Sequence, residues 1–95
     1  MRAGESPLGA ELLRLLTRRH CHLCELVRAP LSGLIPERGW RLEELDIDEH
    51  PELLPTYTDR VPVLLWGDEV LAEGRFEPVA VVRAWELRRA PPKIG

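Results

Sequence analysis

Thr17-Arg18-Arg19-His20-Cys21-His22-Leu23-Cys24-Glu25 is the stretch on which the reading of the whole chain turns. On its N-terminal side, Glu11-Leu12-Leu13-Arg14-Leu15-Leu16-Thr17-Arg18 has a composition that suits a helix. It runs, however, into a short turn, Arg19-His20-Cys21, from which a second segment with helical spacing departs, so the first segment reads as a strand. The two cysteines are the only ones in the chain and are too few for a disulfide framework. A bridge closing so short a loop adds little stability by loop entropy and would meet a reducing cytosol. A Cys-X-X-Cys pair in that setting points to redox or metal chemistry.

Working outward, His22-Leu23-Cys24-Glu25-Leu26-Val27-Arg28-Ala29 is expected to be a helix that Pro30 kinks or stops. Leu31 to Ile35 would add a turn or two before Pro36 and Gly39 end it. Trp40 to Ile47 reads as a second strand. A short helix follows, capped by Asp48 or Glu49, with Pro51 in its first turn and Pro55 limiting its length. Val61-Pro62-Val63-Leu64-Leu65-Trp66 has the apolar run of a central strand with its proline at the start. Gly67-Asp68 is a tight turn, Glu69 to Glu73 a hairpin partner, and Glu77 to Arg89 an amphipathic helix with Pro78 in its first turn. The order is βαβαββα. Residues 1–10 and 90–95 read as flexible tails around one domain, residues 11–89.

Ninety-five residues hold a single core, and 44% hydrophobic with 31% charged residues is a folding composition, which excludes a disordered or fibrous chain. Thirteen basic against sixteen acidic residues leave a net charge of −3, which argues against nucleic acid as the partner. The longest apolar run, Val63 to Trp66 with the proline before it, is far below the roughly 20 residues of a membrane helix. Met1 to Pro7 lacks the apolar core of a signal peptide, so a cytoplasmic monomer is expected, with no membrane partner. Asn and Gln are absent and Arg replaces Lys at all but Lys93, a bias that leans towards a thermophilic source.

The element order, the Cys-X-X-Cys at the first strand-to-helix turn and Val61-Pro62 at the third strand together resemble the thioredoxin fold, and in size the glutaredoxins. Thr17 to Glu25, Leu45-Asp46-Ile47-Asp48 and Arg60-Val61-Pro62-Val63-Leu64 are similar to a small, divergent bacterial group of glutaredoxin-like proteins. The resemblance covers residues 11–89 and implies an α/β fold, a central four-stranded mixed sheet flanked by helices. It further implies a cis Val61–Pro62 bond and substrate contacts at Arg18, Val61, Pro62 and Arg75. The chain departs from the family at three places. His22-Leu23 stands where glutaredoxins usually carry Pro-Tyr, Arg60 where Thr is common, and Ala72-Glu73-Gly74 where glutathione-binding members have a Gly-Gly pair.

At a helix start, free backbone donors favour an anion, so Cys21 is expected to be a low-pKa nucleophile with Arg18, Arg19, His20 and His22 adding positive character. Cys24, three residues on and within disulfide reach, would resolve the mixed disulfide. The expected substrate is a disulfide-bearing protein or small thiol, glutathione included, with no resident cofactor. A carboxylate at Glu73 predicts weak glutathione affinity unless Arg75 offsets it. The rival reading is a zinc or iron-sulfur domain built on His20, Cys21, His22 and Cys24, although no second ligand pair exists and His50 stands alone. A redox-inert interaction module is the third. Haem attachment fails because Glu25, not His, follows Cys24. His20 and His22 otherwise read as solvated turn residues, and Trp40, Trp66 and Trp85 as core packing rather than a binding platform.

Overall fold

Leu13 and Leu15 point to one side of their strand and Leu16 to the other, and all three are buried, so the segment needs cover on both faces. In the computed structural model, which describes residues 11–89, that segment is β1 (Leu12–Thr17), an interior strand of a four-stranded sheet. The expected tails at 1–10 and 90–95 lie outside the described residues. The chain continues as α1 (His22–Arg38), β2 (Arg41–Asp46), two 3₁₀ turns (Ile47–Glu49 and Pro51–Leu53), α2 (Leu54–Tyr57), β3 (Val63–Trp66), β4 (Glu69–Glu73) and α3 (Pro78–Arg89). Sheet order is β2-β1-β3-β4. β1 pairs β2 in parallel, with Thr17 opposite Asp46, and β3 antiparallel, with Leu16 opposite Val63. The β3–β4 hairpin is antiparallel and carries a bulge at Leu64/Leu65.

One face of the sheet is covered by α1 and α3. Leu13, Leu15 and Leu64 meet Val27, Leu31, Leu34 and Ile35 of α1 and Val81 and Trp85 of α3 in a single cluster. The other face is thinner, with Leu16 and Val63 capped by Ile47 and the half-buried Leu53, Leu54 and Tyr57. The expected α/β order is therefore present in full, as a mixed sheet between helices.

Two segments differ from expectation. Helix α1 runs through both Pro30 and Pro36 as one element of 17 residues. Proline inside a helix costs about 3 kcal/mol through a lost hydrogen bond and a steric clash. Pro30 is exposed, as is Leu26, whose carbonyl Pro30 leaves without its amide partner, so the lost bond falls on the solvent side of the helix. The buried stripe of Val27, Leu31, Leu34 and Ile35 contributes roughly 1.5–3 kcal/mol for each side chain and holds the two halves in line. The helix stops at Gly39, whose φ of 71° is the left-handed conformation that glycine adopts without strain, and the Trp40 amide donates back to Ile35 at 2.9 Å. The short helix expected after β2 is split instead, because Pro51 and Pro55 remove amides that one continuous helix would need.

Candidate functional site

The end of the sheet where β1 and β2 finish and β3 begins carries the cysteines. Thr17 anchors it, being buried with its hydroxyl donating to the Leu45 carbonyl at 3.4 Å. Arg18, Arg19 and His20 then turn the chain, with His20 at φ 57°, a left-handed position that histidine takes more readily than most residues. Cys21 follows in extended geometry as the N-cap of α1, and its Sγ accepts the Cys24 amide at 3.2 Å. Cys21 and Cys24 are disulfide-bonded with Cα atoms 5.2 Å apart. Their exposure differs: Cys24 is 1% exposed under the first turn, whereas Cys21 is only half-buried. His20 and His22 are solvated, as expected, and His22 approaches Glu25 at only 4.0 Å.

Antiparallel register brings the start of β3 alongside the end of β1, so Val61 and Pro62 flank the turn that delivers Cys21. The Val61–Pro62 bond is cis. The Val61 amide donates to the Tyr57 carbonyl at 3.2 Å, and the Pro62 carbonyl accepts the Gly74 amide at 2.8 Å. The second bond ties the end of β4 to this loop, and Gly74 meets it at φ 70°.

Charged side chains around this end are paired with one another. Arg18 grips Asp48 through two hydrogen bonds, 2.9 and 3.2 Å long, and the pairing holds its guanidinium pKa above the usual arginine range. Asp48 is in turn anchored by its own amide donating to the Asp46 carboxylate at 2.9 Å. Arg60, immediately before Val61, donates to Glu73 at 2.7 Å and lies 5.1 Å over the Tyr57 ring, and its pKa is raised by Glu73 in the same way. Arg28 of α1 binds Glu44 of β2 at 2.7 and 3.0 Å, bracing the helix against the sheet edge. Arg75 is exposed in the loop after Gly74. A shallow polar cleft between the ends of β1 and β2 is lined by Thr17, Arg18, Arg19, Arg28, Glu44, Asp46 and Glu49.

All the residues singled out in the sequence as site residues, Cys21, Cys24, Arg18, Val61, Pro62 and Arg75, thus lie on segments at one end of the sheet. Sequence reasoning did not find Asp48 as the partner of Arg18, nor Arg60 as the cation that offsets Glu73 in place of Arg75. The Asp46-Ile47-Asp48 run was the available signal, but only the Thr17–Asp46 register places it beside Arg18. Among the described residues, no group of three or more His, Cys, Asp or Glu side chains is placed to hold a metal ion. No described helix is long and apolar enough to cross a membrane.

Comparison with known proteins follows the same lines. An X-ray structure of a structural-genomics target protein from X. campestris is 31% identical, with a TM-score of 0.63 over 83% of this chain and 99% of that one. A solution structure of a protein from Nitrosomonas europaea is 35% identical, with a TM-score of 0.64 over 77% of this chain and 87% of the other. A malarial protein at 14% identity and a TM-score of 0.59 shares the fold alone. No curated protein matches the chain. The model of the Glutaredoxin-like domain (DUF836) matches residues 12–85, from the first residue of β1 to Trp85 of α3. With the thioredoxin-like sheet and a Cys-X-X-Cys at its first helix, the chain belongs to this glutaredoxin-like family.

Proposed function

We propose that this protein is a cytoplasmic thiol–disulfide oxidoreductase that reduces protein or small-molecule disulfides, with Cys21 as nucleophile and Cys24 as resolving thiol. The observation that carries the reading is the asymmetry of the pair at the start of α1: Cys21 is reachable, Cys24 is covered, and the two are within bonding distance. In the reduced protein the Cys24 amide and the positive end of α1 stabilise a thiolate on Cys21, because an anion there satisfies donors the helix leaves unpaired. That thiolate attacks one sulfur of the substrate disulfide, and the other leaves as a thiol once protonated. Cys24 then gives up its proton and attacks the Cys21 sulfur of the mixed disulfide, releasing the second thiol. Two electrons pass to the substrate and the Cys21–Cys24 disulfide is the product, the state seen in the structure. An external thiol reductant returns the pair to the dithiol.

The test is a trapping experiment with a protein disulfide. Cys24→Ser should accumulate a covalent mixed disulfide through Cys21, and Cys21→Ser should form none and lose turnover. Retained turnover in Cys21→Ser would end this assignment.

A further inference from the structure

We infer that Asp48 and Glu73 are specificity-determining residues: by neutralising Arg18 and Arg60 they direct the redox site towards disulfides without net negative charge and away from anionic thiols. This rests on the oxidoreductase reading of Cys21 and Cys24. Arg18 lies three residues before the nucleophile and Arg60 directly before Val61-Pro62, so these are two of the cations, beside Arg19 and Arg75, from which an anionic substrate at Cys21 would draw binding energy. Each is already paired from within. The two-bond pair of Arg18 with Asp48 uses one edge of the guanidinium in the geometry a substrate carboxylate would need. Asp48 is preorganised for it by the bond from its own amide to Asp46. Arg60 is held on two sides, by Glu73 at 2.7 Å and by the face of Tyr57.

An incoming carboxylate meets guanidiniums whose charge is already offset, and it must displace Asp48 or Glu73 to take the edge each one holds. It must also approach an end of the sheet where Asp46, Asp48, Glu49 and Glu73 stand beside the arginines. Like charge repels there, and the approach is slowed as well as weakened. A neutral or cationic disulfide meets neither obstacle.

The experiment measures kcat/KM for two small disulfides, glutathione disulfide as the anionic probe and bis(2-hydroxyethyl) disulfide as the neutral one. The proteins compared are the wild type, Asp48→Asn, Glu73→Gln and the double variant. Each amide keeps the shape of the acid it replaces but removes its charge, and turnover of the neutral probe reports that the variant is folded. The ratio of anionic to neutral kcat/KM should rise about fivefold for each substitution, the factor expected for one unit charge at about 4 Å in water. The gain should shrink as salt is added. A ratio that stays within about twofold of wild type in the double variant, below what one exposed charge should give, overturns the inference while leaving the oxidoreductase reading standing. A wild type that reduces neither probe nor any protein disulfide overturns both.

Discussion

Arginines gather at both ends of this sheet, and they meet different partners. At the cysteine end, Arg18 and Arg60 face the carboxylates of Asp48 and Glu73. At the far end, where α1 stops and β3 turns into β4, Arg38 lies 5.4 Å over Trp40 and 5.6 Å over Trp85, and Arg89 lies 4.8 Å over Trp85. Trp40 and Trp85 are 5.1 Å apart and tilted, Trp66 meets Trp85 edge-on at 6.1 Å, and the Trp66 indole donates to Glu11 at 3.0 Å. Exposed ion pairs contribute little to stability, because water and salt screen them. Packed indoles remove large apolar areas from water. Packed indoles thus anchor the far end, while the cysteine end, held by the smaller cluster of Leu16, Ile47 and Val63, is polar at its surface, shallow and open to a partner.

Five measurements would break or sharpen that division. The largest effect belongs to Cys21→Ser, which should lower disulfide turnover at least about a thousandfold, as expected for loss of a nucleophile, while the reduced protein melts close to wild type. A large drop in the melting temperature of the reduced variant would mean that the cysteine end also carries stability. Trp85→Ala should destabilise by about 3–5 kcal/mol in a denaturant titration and leave the alkylation rate of Cys21 unchanged. If the alkylation rate moves with it, the two ends are coupled and the division is wrong. Among the described residues the Trp85 indole N–H has no acceptor, so Trp85→Phe removes an unpaired donor along with bulk and should cost clearly less than the alanine change.

Helix α1 is the element that joins the two ends, since it starts at the cysteines and stops one residue short of the Gly39 turn into Trp40. Pro30→Ala restores an amide on its exposed side. The gain should be about 2 kcal/mol, the difference between the helix penalty of proline and the unfolded-state freedom that alanine returns. Differential calorimetry reads it, and a loss of stability would show that Pro30 packs in a way its exposure does not suggest. The smallest shift is in the thiol itself. Alkylation of reduced protein followed across pH should give Cys21 a midpoint below the ordinary thiol value of about 8.5, with Cys24 unlabelled until the protein is denatured. Preferential labelling of Cys24 would remove the basis for naming Cys21 the nucleophile.

Most of the element order was legible because it rests on local signals. The Arg19-His20-Cys21 turn and the helix after it mark Leu12–Thr17 as a strand, the Gly67-Asp68 turn marks a hairpin, and β4 falls on Glu69–Glu73 as its residues suggest. Cys21 and Cys24 were equally plain, since their spacing and place at a helix start involve only neighbours in the chain. Helix α1 was read as kinked or stopped at Pro30, with Leu31 to Ile35 adding a turn or two, whereas it runs as one element from His22 to Arg38. Local rules price the break at Pro30 but not the four buried side chains that override it.

Sequence alone thus determined the strands and helices, the redox pair and the end of the sheet at which it sits, because each depends on residues a few positions apart. Tertiary structure alone decided which charge meets which. Arg18 and Asp48 are thirty residues apart and meet through the parallel β1–β2 register, while Arg60 and Glu73 are thirteen apart and meet across the β3–β4 hairpin. The three tryptophans come from the start of β2, the end of β3 and the last turns of α3, and only the closed sheet with α3 packed on it brings them together. Pairing energies of exposed charges and the packing of indoles fall off within a few ångströms, so they are settled by register and layer packing and leave no periodic trace in the chain.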